Sequence, residues 1–215
     1  MNETQSSRIT ILSAISHSLG ERKQSPNAGW QSLPRNYRRV GVLTHDQRLQ
    51  LLEERLTEYG AGVHHCVQAE IALSVARILH LRGKQILAIP VGLSAAYIPL
   101  GFDFVEGDLI SFAALEKLEG AISNASLAIA ETGTILLQTL PGQGPRKLSL
   151  IPDYILAIVR TCDVVESVPE AFDRILNTAT LPTTFISGPS ATADIEMTRI
   201  QGVHGPRSLD VLLTE

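Results

Sequence analysis

From Val40 onward, short continuous apolar runs alternate with segments whose apolar residues recur at helical spacing. Runs of about four to eight apolar residues are typical of strands buried on both faces, and the longer period is typical of helices packed on a sheet. The chain therefore predicts an α/β fold with a mostly parallel sheet flanked by helices. The predicted strands are residues 62–67, 85–90, 126–130, 134–138, 154–159, 183–187 and 209–213, and the predicted helices are residues 45–59, 69–81 and 169–177.

The last of these helices carries a specific expectation about burial. Within residues 169–177, the aromatic and aliphatic side chains of Phe172, Ile175 and Leu176 recur at helical spacing. Apolar residues spaced in this way normally face the core. We therefore expect all three side chains to point inward.

An N-terminal helical extension precedes the alternating pattern. Residues 8–19 have the apolar spacing of an amphipathic helix. Residues 20–36 mix charged, polar, Pro and Gly residues, which favours an irregular connector. The predicted organisation is a helix and connector over residues 1–36 and an α/β domain over residues 37–215. The apolar residues on one face of the helix are Ile11, Leu12, Ile15 and Leu19.

Composition excludes several classes of partner. The net charge of −4 and the pI of about 5.9 provide no basic surface of the kind that binds nucleic acid or anionic membranes. No stretch approaches the roughly 20 apolar residues that cross a bilayer, and the start of the chain lacks the pattern of a signal peptide. The expected location is therefore the cytoplasm.

The cysteines and paired histidines have structural interpretations. Cys66 and Cys162 are far apart in the sequence, and we expect both to be buried apolar side chains. Two thiols are too few for an iron–sulfur cluster, which needs about four ligands, so no cofactor is expected on this chain. The adjacent His64 and His65 lie on a predicted strand and point to opposite faces, one packed and one in water, so they cannot chelate one ion.

The first polar segment, residues 130–134, interrupts an apolar stretch. Its Glu131 could lie at the tip of a buried strand as a nucleophile, base or ligand anchor, with Thr132, Gly133 and Thr134 beside it as ligand-binding residues. The other interpretation is a tight turn between two strands, with Glu131 in water and the threonines bonded to their own backbone. The residues leave both interpretations open.

The second polar segment, residues 187–207, contains more hydroxyl and charged groups than the first. Pro189 and the acidic residues after it suit the start of a helix, whereas the same free N–H groups with Arg199 and Arg207 suit an anion site. His204 could be a general acid or base or a hydrogen bonder that closes a loop. The candidate ligand-binding residues are Ser187, Gly188, Ser190, Asp194, Glu196, Arg199, Gln201, Gly202 and Gly205, and the candidate catalytic residues are Glu131 and His204.

Placement on the predicted sheet favours one shared pocket. Ligands of parallel sheets collect past the carboxyl ends of the strands, and both polar segments follow predicted strands. We therefore expect the two segments to fold toward each other. Gly144-Pro145-Arg146 and Gly205-Pro206-Arg207 repeat a tripeptide, either by chance or as two basic lips of one cleft. The phosphate-loop, dinucleotide, zinc-protease and serine-hydrolase motifs are absent.

These residues resemble the lactate utilization protein C family, the single-domain members of the LUD group, from roughly residue 40 to the C-terminus. The resemblance implies a fold similar to that of sugar-phosphate isomerases and CoA transferases. It also implies a role in oxidising L-lactate to pyruvate beside two partner proteins, at least one of them carrying iron–sulfur clusters. The motifs that carry the resemblance are residues 128–134, 152–154, 187–190, 194–196, 199 and 201–206.

Two hypotheses of different class follow. The preferred one is a non-redox subunit of a lactate-oxidising system, which binds a small anion or docks the iron–sulfur subunits through the shared pocket. The alternative is a transferase or isomerase acting on a small carboxylate or thioester, because Glu131-Thr132-Gly133 resembles the Glu-Asn-Gly step that carries the nucleophile of CoA transferases. In that enzyme, Glu131 would be nucleophile or base, His204 a proton shuttle and Arg199 a carboxylate clamp.

Overall fold

The computed structural model of the chain describes residues 3–20, 31–192, 200–201 and 205–215. Contacts within the chain divide it into two units, Met1–Tyr37 and Arg38–Glu215. The first unit contains helix α1 (Glu3–Leu19). The four residues predicted to form its apolar face each expose half or more of their surface, from 50% at Leu12 to 60% at Leu19.

The described part of the second unit contains twelve strands and four further α-helices. The helices are α2 (His45–Glu58), α3 (Ile71–Arg82), α4 (Phe112–Leu115) and α5 (Val168–Arg174). The strands are β1 (Gly62–Cys66), β2 (Ile86–Ile89), β3 (Asp103–Glu106), β4 (Gly120–Asn124), β5 (Leu127–Ile129), β6 (Thr134–Gln138), β7 (Tyr154–Arg160), β8 (Val164–Val165), β9 (Thr183–Ile186), β10 (Ala191–Thr192), β11 (Ile200–Gln201) and β12 (Ser208–Thr214). None of the described helices is long and apolar enough to cross a membrane.

Six strands form one parallel sheet in the order β1-β12-β7-β4-β2-β3. On one face, Val75 and Leu79 of α3 share an apolar cluster with Leu156. On the other face, Leu52 and Leu56 of α2 belong to a second cluster. The predicted α/β fold with a mostly parallel sheet flanked by helices is therefore confirmed.

A second, four-stranded sheet in the order β8-β5-β6-β9 covers the same face as α2. Strands β5 and β6 are antiparallel neighbours because only four residues join them, and a parallel crossover needs a dozen or more residues. The inner side of this hairpin, with Ile135 and Leu137, packs toward the parallel sheet, while Leu127 and Leu136 pack with Ala171 of α5. Three predicted strands thus belong to a separate sheet.

Two expectations about burial are wrong. Of the three side chains predicted to point inward, only Ile175 is buried, while Phe172 and Leu176 are 53% and 70% exposed. Helix α5 ends at Arg174, so Ile175 and Leu176 do not continue its helical spacing. Phe172 instead contacts Phe185 on the surface, with ring centroids 6.0 Å apart.

The second wrong expectation is that both cysteines are buried. Cys66 is half-buried, whereas Cys162 is exposed and lies in a short 3-10 turn, Thr161–Asp163, that follows the end of β7. The histidine expectation is confirmed: His64 lies half-buried against Asp210, and His65 is exposed beside Glu53.

Candidate functional site

The first polar segment is the turn of the β5–β6 hairpin, so the turn interpretation is the one that the structure shows. Gly133 has a φ of 56°, a left-handed conformation that favours glycine. A Cβ added to Gly133 would lie 2.7 Å from the Cβ of Arg55 on α2. The hairpin turn therefore packs directly against α2, with no room for a side chain at residue 133.

Glu131 is not a bare carboxylate in water. Its Oε1 accepts a hydrogen bond from Arg38 Nη2 at 2.9 Å, and the same nitrogen lies 2.5 Å from Oε1 of Glu166. The Glu131 side chain is 42% exposed, whereas that of Glu166 is only 2% exposed. Because an ion-paired carboxylate is a weaker nucleophile than a free one, this geometry supports a ligand-facing or structural role better than covalent catalysis.

Hydrogen-bonded hydroxyls connect the two polar segments. The Oγ1 atoms of Thr132 and Thr134 are 2.7 Å apart, and Thr134 Oγ1 is 2.8 Å from Ser187 Oγ. This contact follows from the antiparallel pairing of β6 with β9, which sets residue 135 opposite residue 186. The start of the second polar segment therefore lies beside the end of the first.

The loop after β9 is held from both sides. Gly188 has a φ of 84°, and a Cβ placed there would lie 2.5 Å from the Cβ of Tyr59. Further along, the N–H of Ser190 donates a hydrogen bond to the carbonyl of Pro206 at 2.8 Å. A Cβ added to Gly205 would lie 3.4 Å from the Cβ of Ser190, so Gly205 lies beside this loop at Ser190.

A cleft of about 300 Å³ opens beside this loop. Ser187, Gly188 and Ser190 line it together with the cation Arg146 and the apolar side chain of Leu150. We call it the Ser187 cleft. The Arg207 of the repeated tripeptide instead lies 3.7 Å from Asp153. Hydroxyls and one guanidinium can bind a small anion here.

The cleft lies at the amino ends of β7 and β12, not past the carboxyl ends of the parallel strands as expected. Leu150 shortly precedes β7, and Pro206 shortly precedes β12. The reason is connectivity. Ser187 does follow a strand, but that strand is β9 of the second sheet, and the chain must then return to the start of β12.

Several candidate residues lie outside the described residues, namely Asp194, Glu196, Arg199, Gly202 and His204. Of Gln201, the structure describes the backbone, which belongs to β11 and pairs with Ala191 of β10. The described members of the predicted site, Glu131, Thr132, Gly133, Thr134, Ser187, Gly188, Ser190 and Gly205, extend from the hairpin turn to the Ser187 cleft.

Two charged residues near these segments, Arg38 and Glu166, are not predicted from the sequence, because they meet Glu131 only in the folded chain. Arg146 belongs to the repeated tripeptide that the sequence offers either as chance or as a basic lip of a cleft, and it does line the Ser187 cleft. Glu166 could have been identified from the sequence, since it is a single carboxylate directly after the apolar pair Val164 and Val165. A carboxylate in such a place is expected to be buried and hydrogen-bonded.

Gly133→Ala should lower the free energy of unfolding by about 2–3 kcal/mol, because left-handed strain and overlap with Arg55 act together. Gly83→Ala is the matched control. Gly83 has a φ of 62°, but no described heavy atom lies within 4 Å of an added Cβ, so about 1 kcal/mol is expected. Urea unfolding of both variants gives the comparison. Equal losses would show that the hairpin turn does not pack on α2 as described.

Known proteins match most of the chain. A model of the LUD domain matches residues 112–214. Lactate utilization protein C of Deinococcus radiodurans is 36% identical over 174 residues, which are 80% of this chain and 81% of that protein. Lactate utilization protein C of Halalkalibacterium halodurans is 39% identical over 114 residues, which cover 49% of this chain but only 47% of that protein.

A solved structure agrees with these matches. The crystal structure of a DUF162 family protein from Deinococcus radiodurans superposes with a TM-score of 0.71 at 31% identity. The superposition covers 81% of this chain and 100% of that chain. The identity to the first relative extends over four fifths of both sequences, so the chain belongs to the lactate utilization protein C family of LUD-domain proteins.

Proposed function

We propose that this protein is a non-redox subunit that supports the oxidation of L-lactate to pyruvate together with iron–sulfur partner proteins in the cytoplasm. The observation that carries the proposal is the 36% identity to a lactate utilization protein C over four fifths of both chains. Oxidation of a 2-hydroxy acid to a 2-oxo acid removes two electrons and two protons, so the system needs an electron acceptor.

The small number of cysteines in this chain supports placing that electron acceptor on a partner protein. The chain has two cysteines, whereas an iron–sulfur cluster needs about four ligands, mostly thiolates. One of the two, Cys162, is exposed beyond the end of β7, and the other, Cys66, lies on the edge strand β1. The two thiols together could supply at most two of those ligands.

The Ser187 cleft is the surface through which we propose that this subunit acts. Arg146 provides a positive charge, Ser187 and Ser190 provide hydroxyls, and Gly188 keeps the backbone close to α2. These groups suit the carboxylate of a small acid. In this proposal Asp194, Glu196, Arg199, Gln201, Gly202 and Gly205 complete the binding surface. The same surface would dock the partner subunits, with the small anion held between them.

Genetic deletion tests the role directly. Loss of this protein should abolish growth on L-lactate while leaving growth on pyruvate unchanged, because only the oxidation step is removed. Re-expression of the wild-type chain should restore growth, and Arg146→Gln should restore it only in part. As a matched control, Arg55→Gln removes one exposed charge from α2 and should restore growth fully. Normal growth of the deletion strain on L-lactate would contradict the proposal.

Purification separates a subunit from an independent enzyme. The protein taken from lactate-grown cells should carry iron–sulfur proteins with it, and lactate oxidation by that preparation should fall when this chain is omitted. Undiminished lactate oxidation by the partner proteins alone would count against a supporting role.

A further inference from the structure

A second cavity lies where ligands of parallel sheets usually bind. It measures about 390 Å³ and opens past the carboxyl ends of β4 and β7, two neighbouring strands in the interior of the six-stranded sheet. Ala125 and Ser126, which follow β4, line one side, and Arg160, the last residue of β7, lines another. Its volume falls in the range of small-molecule sites, about 300–1,000 Å³.

The charged groups of this cavity are arranged around one carboxylate. Asp163 accepts a hydrogen bond on Oδ2 from Arg160 Nε at 2.7 Å and lies 3.5 Å, on Oδ1, from Arg174 Nη2. The Asp163 side chain is only 14% exposed, whereas the two arginines are 66% and 54% exposed. Arg174 also donates to the carbonyl of Cys162 at 3.2 Å. Asp163 thus holds both guanidinium groups while leaving most of their surface open.

Charge balance then favours a bound anion. Among the described residues that line the cavity, Arg160, Asp163 and Arg174 are the charged ones, which leaves a net charge of about +1. A net charge of +1 is balanced by one negative charge. The planar fork of a guanidinium matches a carboxylate in particular, because two parallel N–H groups can bind its two oxygens.

The uncharged wall of the cavity is rigid and polar. Gln138 is 2% exposed, and its Nε2 donates to the carbonyl of Thr178 at 3.2 Å, while Thr178 Oγ1 donates back to its Oε1 at 2.9 Å. Ser126 Oγ donates to Oε1 of the buried Gln143 at 2.8 Å. These residues present hydroxyls at fixed positions, and Ile175 adds an apolar surface.

We propose that this cavity is a binding site for a small monocarboxylic acid that carries a hydroxyl group, with Arg160 and Arg174 as its carboxylate-binding residues. Because Ser126 and Thr178 already donate their hydroxyl hydrogens to Gln143 and Gln138, their hydroxyl oxygens accept a hydrogen bond from the hydroxyl of the ligand. The site is separate from the Ser187 cleft, which lies at the opposite ends of the parallel strands. It does not depend on the proposed role in lactate oxidation.

Calorimetric titration of the full-length protein tests the site. The probes are 2-hydroxybutyrate, its uncharged amide, and inorganic phosphate, and all proteins carry Arg146→Gln so that binding in the Ser187 cleft does not contribute. We expect saturable binding of 2-hydroxybutyrate and no saturable binding of the amide. Arg160→Gln and Arg174→Gln should each weaken binding about tenfold, since each removes a charge-assisted hydrogen bond.

The control variant is Arg55→Gln, which removes the same charge from the exposed face of α2 and should leave the affinity unchanged. Circular dichroism verifies that each variant is folded, and Arg160→Lys is the milder substitute if Arg160→Gln is not. Equal weakening by Arg55→Gln, unchanged affinity in both cavity variants, or the absence of saturable binding would overturn the proposal. Tighter binding of phosphate than of 2-hydroxybutyrate would overturn the choice of a carboxylate.

Discussion

Glu166→Gln is expected to lower the free energy of unfolding by about 3 kcal/mol, because it disturbs a buried carboxylate with several donors. Oε2 of Glu166 accepts hydrogen bonds from the N–H groups of Val42 and Leu43 at 2.6 and 2.7 Å, and Oε1 lies 2.5 Å from Arg38 Nη2. An amide can keep only one of its two ends as an acceptor. Its NH₂ group must then face a donor, so either the backbone or the guanidinium loses its partner.

The matched control is Glu131→Gln, which removes the second carboxylate partner of the same Arg38. Glu131 is 42% exposed, and exposed pairs contribute little, so the expected loss is at most about 1 kcal/mol. Urea midpoints of the two variants, measured side by side, give the difference. Similar losses at both positions would mean that Glu166 is not buried against residues 38–43.

Glu131→Gln has a second use, because it separates the two classes of function. A non-redox subunit should retain growth on L-lactate with this variant, since the amide preserves the shape of the hairpin turn. An enzyme with Glu131 as nucleophile or base should lose activity. Full complementation by Glu131→Gln would therefore contradict the transferase or isomerase alternative.

The central strands of the parallel sheet could be predicted because they are buried along almost their whole length. Strand β7 is a continuous apolar run over residues 154–159, and β12 has four apolar residues interrupted by Asp210, so their sequences indicate buried strands directly. Strand β4 could not be predicted, since it reads Gly-Ala-Ile-Ser-Asn and has one large apolar residue. The neighbouring strand β7 leaves no room for a side chain at Gly120, because a Cβ there would lie 2.6 Å from the ring of Tyr154. Local sequence does not contain that information.

The candidate site shows the same division between local and long-range information. The contact between Thr134 and Ser187 joins the first residue of one predicted strand to the last residue of another, although the antiparallel pairing of these strands was not predicted. The partner of Glu131 could not be predicted, since Arg38 lies 93 positions earlier, just after the predicted connector of residues 20–36, and no local pattern links the two residues. The expectation that the pocket lies past the carboxyl ends of the parallel strands was also wrong, because it assumed that one sheet contains all the strands.

Asp210 should make the stability of the fold depend on acid pH. This β12 side chain is fully buried, and Arg82 donates to its two oxygens at 2.7 and 2.8 Å, while Tyr154 donates at 2.9 Å. Burial by itself would raise the pKa of Asp210, but the hydrogen bonds from Arg82, His64 and Tyr154 outweigh it and hold the pKa well below its ordinary value. Burial and the charge of Asp210 raise the pKa of Tyr154, so its hydroxyl stays protonated as a donor.

The sign of the pH dependence follows from that lowered pKa. The folded state favours the ionised carboxylate, so its stabilisation is complete above the unfolded pKa of about 3.9 and is lost as the pH falls through the folded value. Asp210→Asn should therefore cost about 3 kcal/mol at pH 7, and the difference from the wild type should shrink below about pH 4.

Urea unfolding of both proteins at pH 7 and pH 3 measures this change. Asp153→Asn is the control, because Asp153 is 63% exposed and lies 3.7 Å from Arg207, so its effect should be below about 1 kcal/mol at either pH. A difference between Asp210→Asn and the wild type that stays constant from pH 7 to pH 3 would contradict the lowered pKa. In that case the cost would come from the shape of the amide in a tight site rather than from the lost charge.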